Sequence, residues 1–159
     1  MKFKKSWREK LEESKGLPKV QKISAKMSKR WGRRGTVVIP APKEVDEIMR
    51  KVPKGKVITI NEIRSALARR HSATIGCPIT TGIFAHIAAQ AAEEAAQEGR
   101  RRITPYWRTL KAGGLLNEKY PGGITRQRKR LQSEGHTVVK KGKRYVVQDY
   151  ESALFTRIQ

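Results

Sequence analysis

The stretch Val52-Pro53-Lys54-Gly55-Lys56-Val57-Ile58-Thr59-Ile60-Asn61-Glu62-Ile63 contains the signals that organise the fold. Pro53 ends a preceding helix, because proline lacks an amide hydrogen and restricts the residue before it. Residues 57–60 are all β-branched, which favours a short extended segment. Thr59 or Asn61 then caps a second helix, since either side chain can accept hydrogen bonds from the free amides of a first turn. The stretch therefore predicts a helix, a brief strand and another helix, in that order.

Helical periodicity extends on both sides of this stretch. Upstream, Pro42 suits a first helical turn, and apolar residues at three- and four-residue spacing predict a helix to about Lys51. Downstream, the second helix is predicted to end near Arg70, and a long third helix is predicted from Pro78 to Glu98. The apolar face of the third helix is predicted to carry Ile79, Ile83, Ile87 and Ala91.

Two helices joined by a short connection predict a helix-turn-helix, whose second helix opens with Thr80, Thr81 and Gly82. A basic helix is predicted over residues 124–133. Two β-branched runs then flank Lys140-Lys141-Gly142-Lys143, which predicts a β-hairpin with a basic tip. The fold class is therefore α+β and mainly helical. We expect a winged-helix-like, helix-turn-helix domain over residues 36–136, preceded by a basic arm (1–35) and followed by a β-hairpin extension (137–159).

The charge of the chain predicts a polyanionic partner. Its 159 residues include 36 Lys and Arg against 14 Asp and Glu, a formal net charge of +22. Nucleic acid is the default partner, and an anionic membrane surface is the weaker rival. Residues 1–35 hold 13 basic and 3 acidic side chains, a net charge of +10. We interpret them as a mostly flexible arm that orders on phosphates; the alternative is a solubilising tail. Trp7 and Trp31 either stack on bases or pin the arm to the domain.

Composition excludes several classes of protein. No apolar run approaches the roughly 20 residues that a membrane span needs, and the basic start lacks the apolar stretch of a secretory signal. The one cysteine, Cys77, cannot form an internal disulfide, which predicts a reducing, cytoplasmic location. We expect no metal site, because the three histidines are dispersed in the sequence and a single cysteine cannot complete a zinc-binding pattern with them. No cofactor is expected either, since the glycine spacing of a Walker or dinucleotide loop is missing.

Four motifs, in order, resemble the DNA-binding domain of O6-alkylguanine-DNA alkyltransferases over about residues 51–136. Residues 52–63 resemble the opening of that domain. Pro105-Tyr106-Trp107-Arg108 falls where the family carries Pro-Cys-His-Arg, and Tyr120-Pro121-Gly122-Gly123 resembles its Tyr-Ser-Gly-Gly loop. Glu134-Gly135-His136 resembles the terminal Glu-Gly-His. The resemblance implies a domain that binds duplex DNA.

The resemblance also implies that alkyl transfer is lost. The family moves an alkyl group to a cysteine thiolate with help from a base. Here Tyr106 and Trp107 replace the cysteine and the histidine; a phenol is a poor nucleophile at neutral pH, and an indole cannot accept a proton. We therefore expect no catalytic residues. The pattern resembles alkyltransferase-like proteins, which bind alkylated guanine without repairing it and mark it for other machinery. The implied partners are duplex DNA, alkylated or not, and a repair protein. We expect the chain itself to be a monomer.

The resemblance assigns a base pocket, and the basic charge adds contacts to DNA, including those of the arm and the hairpin, which lie outside the resemblance. A pocket for a base is predicted at Tyr106, Trp107, Tyr120, Gly122 and Gly123; the alternative is that Tyr106 and Trp107 fill core space. Contacts to DNA are predicted for three groups of residues. They are Thr80, Thr81 and Gly82 of the helix-turn-helix; Arg100, Arg101, Arg102, Arg126, Arg128, Lys140, Lys141 and Lys143 of the remaining domain and hairpin; and Arg30, Arg33 and Arg34 of the arm.

Several positions depart from the family pattern. The family's arginine finger, which fills the space of a flipped base, falls near Thr80 or Thr81, so flipping should be less favourable here. The protein would then recognise DNA shape or use another residue as a wedge. Arg108 is expected to be structural, and Glu134 to make a hydrogen bond at a helix end. Two alternative functions stay open: a general winged-helix nucleic-acid binder without lesion preference, and alkyl transfer to Cys77.

Overall fold

The protein was analysed as a computed structural model that describes residues 4–158. Within that range the fold is α+β and mainly helical, as predicted. The α-helices are α1 (Trp7–Glu12), α2 (Ala25–Trp31), α3 (Pro42–Arg50), α4 (Ile60–Arg70), α5 (Pro78–Gln97) and α6 (Gly123–Ser133). The strands are β1 (Lys19–Lys22), β2 (Thr36–Ile39), β3 (Ile58–Thr59), β4 (Ile75–Gly76), β5 (Thr109–Leu110), β6 (Val138–Lys141) and β7 (Arg144–Val147).

The stretch around Thr59 adopts the order of elements that its sequence predicts. Thr59 caps α4: its hydroxyl accepts from the amide of Asn61 at 3.2 Å, and Glu62 accepts from the amide of Thr59 at 2.8 Å. This reciprocal pairing satisfies amides that a helix start leaves free. The adjoining strand β3 pairs in parallel with β5, which follows the Pro105-Tyr106-Trp107-Arg108 motif. The cap and the pairing fix the motif relative to the start of α4.

The helix-turn-helix is formed by α4, the strand β4 and α5. Strand β4 pairs in parallel with β2, in register Val37 with Ile75 and Val38 with Gly76. Gly76 is required by close packing, because a Cβ there would meet the carbonyl oxygen of Arg64 at 2.7 Å. The main core lies beneath these elements, where α5 packs against α1, α3 and α4. The connection is thus held by both the sheet and the core.

The prediction of a mostly flexible arm is wrong for residues 4–35, and residues 1–3 of that arm lie outside the described range. Strand β1 pairs antiparallel with β2, from Lys19 with Ile39 to Lys22 with Thr36. Helix α1 packs on α5, and Trp7 lies edge-on to His86 with ring centroids 5.5 Å apart. Glu94 accepts from the amides of Trp7 and Arg8 at 3.1 and 3.3 Å. Trp7 therefore pins this segment to the domain.

The C-terminal hairpin is confirmed, but it is not a separate extension. Strands β6 and β7 pair antiparallel, and Leu116 donates its amide to Tyr145 at 2.9 Å. Val57 donates to Ala153 at 2.9 Å and accepts from the amide of Phe155 at 2.8 Å. A second apolar cluster joins Val57 to residues of β5, α6 and β7. The segment from 137 to 158 therefore belongs to the same packed unit as residues 36–136.

Helix α5 has the predicted length, and of its predicted apolar face Ala91 is buried and Ile87 packs against the core, but Ile79 and Ile83 do not. Ile79 and Ile83 are 51% and 50% exposed. The buried face is made of small residues instead: Thr81, Ala85, Ala88, Ala89, Ala91, Ala92 and Ala95. Small side chains allow α1, α3 and α4 to approach the axis of α5 closely, which explains why the alanine face turns inward. Neither α5 nor any other helix in residues 4–158 is long and apolar enough to cross a lipid bilayer.

Candidate nucleic-acid interface

The position that resembles the family's acceptor site is closed. Tyr106 begins a 3-10 helix over Tyr106–Arg108, and its side chain is 1% exposed. Its hydroxyl donates to the carboxylate of Glu93 on α5 at 3.2 Å. Burial, with the negative charge of Glu93, raises the pKa of the Tyr106 phenol above its ordinary value near 10. The phenol therefore stays protonated at neutral pH, which makes it a weak nucleophile.

The aromatic rings of this position pack against one another. Tyr106 lies edge-on to Trp107 and to Tyr120, with centroid distances of 5.5 and 5.6 Å. Tyr120 is also buried. The guanidinium of Arg130 stacks over the Trp107 ring at 4.2 Å. Edge-to-face pairs and stacked cations both stabilise such a cluster. Of the alternatives that the sequence left open for Tyr106 and Trp107, the packing corresponds to the filling of core space.

The glycines of the predicted base pocket shape a turn. Gly122 has a φ of 80° at the start of α6, and a Cβ there would meet the side chain of Arg126 at 2.6 Å. Gly123 begins the helix and donates its amide to Tyr120 at 2.8 Å. Arg126 in turn pairs with Glu93 at 2.8 Å. The predicted pocket is therefore filled by Tyr106 and Tyr120 and covered by the pair of Arg126 and Glu93.

Arg108 is structural, as expected. Its Nε and Nη2 atoms donate to the two oxygens of Glu134 at 2.9 and 2.7 Å, and Nη1 donates to the carbonyl of Val52 at 2.8 Å. Burial of the Glu134 carboxyl opposes ionisation, but these hydrogen bonds outweigh it and hold its pKa below the ordinary value. Glu134 thus binds a buried arginine, whereas the expected helix-end hydrogen bond is made by its backbone amide to Leu131 at 3.1 Å.

An open groove lies beside the exposed face of α5. Its volume is about 730 Å³. One wall is the first turns of α5, the second is the start of α4, and the third is the loop that follows β5. The lining residues are Ile60, Asn61, Arg64, Pro78, Ile79, Gly82, Ile83, His86, Lys111, Ala112, Asn117, Glu118 and Lys119. The groove therefore combines apolar walls with a mostly cationic rim.

The polar groups of the groove are held by local contacts. Arg64 donates to the carbonyl of Gly76 at 2.8 Å and to Asn61 Oδ1 at 3.2 Å, which fixes its guanidinium at the α4 wall. Burial and the positive charge of Lys119 lower the pKa of His86, so its ring is neutral at pH 7. Glu118 pairs with Lys111 at 3.5 Å. Arg64 and Lys119 consequently give the rim its excess positive charge.

Some of the predicted DNA-contacting residues gather around this groove. Gly82 lines it directly. The loop residues Lys111 and Glu118 also border a second depression, which is lined by Lys143 of the hairpin. Arg128 lies over the Tyr145 ring at 5.7 Å, next to the same hairpin. The hairpin, with exposed Lys140 and Lys141 on β6, therefore adjoins the groove as a wing does in a winged helix.

The N-terminal segment carries three more of the basic residues that the sequence predicts as DNA contacts. Burial, with a smaller contribution from the positive charge of Arg33, lowers the pKa of Arg64. Arg30 and Arg34 are exposed on the same segment. None of these three cations lines the groove itself.

Other predicted contacts lie elsewhere. Thr81 is fully buried on the inner face of α5, so the prediction that it touches DNA is wrong. Thr80 is partly buried beside it. Arg126 is occupied by Glu93. Exposed Arg100, Arg101 and Arg102 follow the far end of α5, about 30 Å from its start at 1.5 Å per residue. One short segment of DNA could therefore not contact both these arginines and Gly82.

Cys77 immediately precedes α5, where it is buried in a small cluster with Ile23, Val37 and Ile75. Trp31 packs against the same cluster, which anchors α2. Residues 4–158 contain no group of three or more His, Cys, Asp or Glu side chains that could hold a metal ion.

Sequence reasoning missed the groove because it assigned Ile79 and Ile83 to the apolar face. One signal was present: the alanines at positions 85, 88, 89 and 92 form an alternative face at helical spacing. Lys111 and Lys119 carried no signal, since isolated lysines in a loop are usually solvated.

No family model matches the chain, and no curated protein matches it in sequence. Two solved structures are similar to it. One is S. pombe Atl1 in complex with damaged DNA containing O6-carboxymethylguanine, at 19% identity and a TM-score of 0.47, over 72% of this chain and 93% of that one. The other is S. pombe ATL in complex with DNA, at 17% identity and a TM-score of 0.46, with the same coverage of both chains.

Proposed function

We propose that the protein is a non-enzymatic DNA-binding protein of the alkyltransferase-like type, which binds duplex DNA and senses O6-alkylguanine. The observation that carries the DNA-binding part is the groove beside α5, whose apolar walls and cationic rim suit a nucleic-acid strand. The order of four motifs over residues 51–136 supports the lesion-sensing part. We propose further that the protein acts as a monomer and presents the bound lesion to a repair protein.

The charge distribution supports a duplex as ligand. The groove, the hairpin with Lys143 and the segment with Arg33 form neighbouring cationic surfaces. Phosphates that these cations neutralise release counterions, so the affinity should fall steeply as the salt concentration rises. Gly82 has no side chain, so the α5 backbone is uncovered at this position. The space that a Cβ would occupy has no neighbour within 4 Å, which allows a DNA strand to approach closely.

The acceptor position supports a protein without alkyl transfer. Tyr106 is buried, its pKa is raised, and its hydroxyl is committed to Glu93. Trp107 stands where the family has its histidine, and its indole cannot serve as a general base. A lesion bound by this protein would therefore remain unrepaired.

The test compares two duplexes that differ in one base. Equilibrium binding is measured for a duplex with a single O6-alkylguanine and for the unmodified duplex, each over a series of salt concentrations. Lesion sensing predicts tighter binding to the alkylated duplex at every salt concentration. Equal affinities with a steep salt dependence would remove lesion sensing and retain DNA binding. A weak, salt-independent interaction with both would contradict the whole proposal.

The second candidate is a general nucleic-acid binder without lesion preference. The burial of Tyr106 and Tyr120 favours it, because their rings occupy the space of the predicted base pocket. A base could enter that space only if Tyr106 gave up its contacts with Trp107, Tyr120 and Glu93. Equal affinities in the experiment above are the outcome that this candidate predicts.

Alkyl transfer to Cys77 is a third function that the sequence leaves open. The thiol is buried among Ile23, Val37 and Ile75, which separates it from any DNA in the groove. After incubation with O6-alkylguanine DNA, mass spectrometry should show an unchanged protein. An added alkyl group on the Cys77 peptide would instead make the protein an enzyme.

A further inference from the structure

Two exposed isoleucines mark the first turns of α5. In residues 4–158 only three large apolar side chains are classed as exposed: Val20 on β1 at 44%, Ile79 at 51% and Ile83 at 50%. Ile79 and Ile83 are four residues apart, so they project from the same face of the helix. Water contact of two large apolar side chains on one face is unfavourable, which indicates that a partner covers them.

The two isoleucines form a narrow ridge on the surface of α5. Gly82 lies between them and carries no side chain, and a Cβ at this position would have open space around it. Lys111 and Lys119 of the loop and Arg64 of α4 line the same groove as the two isoleucines. The isoleucines therefore lie on an apolar wall of a groove whose rim carries these cations.

The charges of the groove select among partners. The rim carries three cations and one carboxylate, and that carboxylate, Glu118, is paired with Lys111 at 3.5 Å. An apolar peptide would leave the cations without counter-charges. A strand of duplex DNA offers sugars and base edges to the apolar ridge and phosphates to the cations, so both parts are matched.

We propose that Ile79 and Ile83 form an apolar wedge that enters the minor groove and parts a base step, while Arg64, Lys111 and Lys119 hold the flanking phosphates. Apolar side chains that insert between base pairs unstack them partly and kink the duplex. β-Branched side chains have essentially one χ1 rotamer in a helix, so isoleucine loses little conformational freedom on insertion. This inference rests on the proposed DNA binding, and it adds which residues deform the duplex.

The experiment measures deformation and affinity separately. A short duplex without alkylated guanine carries 2-aminopurine at a pyrimidine–purine step, where stacking is weakest, and the 2-aminopurine fluorescence rises when the base unstacks. A second duplex carries donor and acceptor dyes at its ends, so that a kink changes energy transfer. The variants are Ile79→Ala/Ile83→Ala, the conservative Ile79→Leu/Ile83→Leu, and Val20→Ala, which removes the third exposed apolar side chain. All three positions are exposed, and thermal unfolding verifies that each variant folds.

The wedge predicts that the wild type raises 2-aminopurine fluorescence and bends the duplex. The double alanine variant should lose both signals and bind about tenfold more weakly, with an unchanged salt slope because the phosphate contacts remain. The double leucine variant should keep most of both signals, and Val20→Ala should behave as the wild type.

Two other outcomes separate the two proposals. If the wild type binds with a steep salt dependence, while the double alanine variant gives the same fluorescence, bend and affinity, the wedge is overturned and DNA binding stands; the face then belongs to a protein partner. If the wild type shows no salt-dependent binding to any duplex, the proposed function fails, and the wedge fails with it.

Discussion

The centre around Tyr106 and the groove beside α5 both combine cations with aromatic or apolar side chains, yet their cations face different partners. In the Tyr106 centre, Arg108 is paired with Glu134, and Arg126 with Glu93. In the groove, the rim has three cations and a single carboxylate. The fold thus gives Arg108 and Arg126 acidic partners in the Tyr106 centre, whereas in the groove only Lys111 is paired with a carboxylate among the described residues, which leaves Arg64 and Lys119 as the stronger candidates for phosphate contacts. Net charge alone does not tell the two kinds apart.

The largest effect is expected at the pair of Arg108 and Glu134. Removing one partner of a buried ion pair leaves the other charge uncompensated, which costs about 3–5 kcal/mol. Both side chains are largely buried, at 14% and 7% exposure, so solvent screens them little. We expect Arg108→Ala to lower the Tm by roughly 10 °C for a chain of this size. Thermal and urea unfolding measure the change.

A double variant separates the charge effect from the packing effect. Arg108→Met/Glu134→Leu removes both charges together, and apolar replacement of a whole buried pair is often neutral or stabilising. It should therefore recover most of the stability that Arg108→Ala loses. DNA affinity should be unchanged in the double variant. A loss of affinity there would mean that Arg108 contacts DNA and that the comparison above is wrong for this residue.

Local signals predicted most of the elements, since each depends on nearby residues. The cap at Thr59, the prolines at positions 42 and 78 and the hairpin around Lys140–Lys143 all form as the sequence indicates. The N-terminal segment was missed because its stabilising contacts are remote. Trp7 meets His86, and the amides of Trp7 and Arg8 meet Glu94, more than 75 residues along the chain. No local periodicity reports such contacts.

The site was harder to predict than the fold. The motifs correctly placed Tyr106 beside Trp107 and Tyr120, and the structural role of Arg108, which binds Glu134, followed from them. Whether the tyrosines line a pocket or fill it depends on side-chain volumes contributed by α5 and α6. The orientation of α5 likewise depends on how closely α1 and α3 approach it. Both are tertiary properties, so the exposed Ile79 and Ile83 could not be deduced from spacing alone.

A smaller effect, on binding rather than stability, is expected for Lys119 at the groove rim. If Lys119 neutralises one phosphate, Lys119→Ala should reduce the slope of log affinity against log salt by about 1 and weaken binding about tenfold at low salt. Its Tm should stay that of the wild type, because the side chain is exposed. A salt series with an unmodified duplex measures the slope.

The matched control is a lysine that already has an acidic partner. Lys43 on α3 pairs with Glu12 at 3.0 Å, outside the groove. Lys43→Ala should leave both the affinity and the salt slope unchanged. Equal losses of DNA affinity for Lys119→Ala and Lys43→Ala would show that the chain attracts DNA through its overall charge. The groove would then not be a specific binding site.

The smallest effect is expected at the hydroxyl of Tyr106. Tyr106→Phe removes one hydrogen bond to Glu93, which keeps its pair with Arg126, so the loss of stability should be about 1 kcal/mol. The stability of the variant should also depend less on pH in alkaline solution.

Because the pKa of Tyr106 is higher in the folded chain than in the unfolded one, the folded state retains the phenol proton above about pH 10 while the unfolded state loses it. The stability of the wild type is therefore complete below pH 10 and decreases as the pH rises above it. In Tyr106→Phe that decrease should be shallower, although Tyr120, whose pKa is also raised by burial, preserves part of it. Urea unfolding from neutral to alkaline pH measures both slopes. DNA affinity at neutral pH should not change, because the phenol is enclosed; an affinity loss as large as that of Lys119→Ala would show that the Tyr106 centre opens onto the DNA.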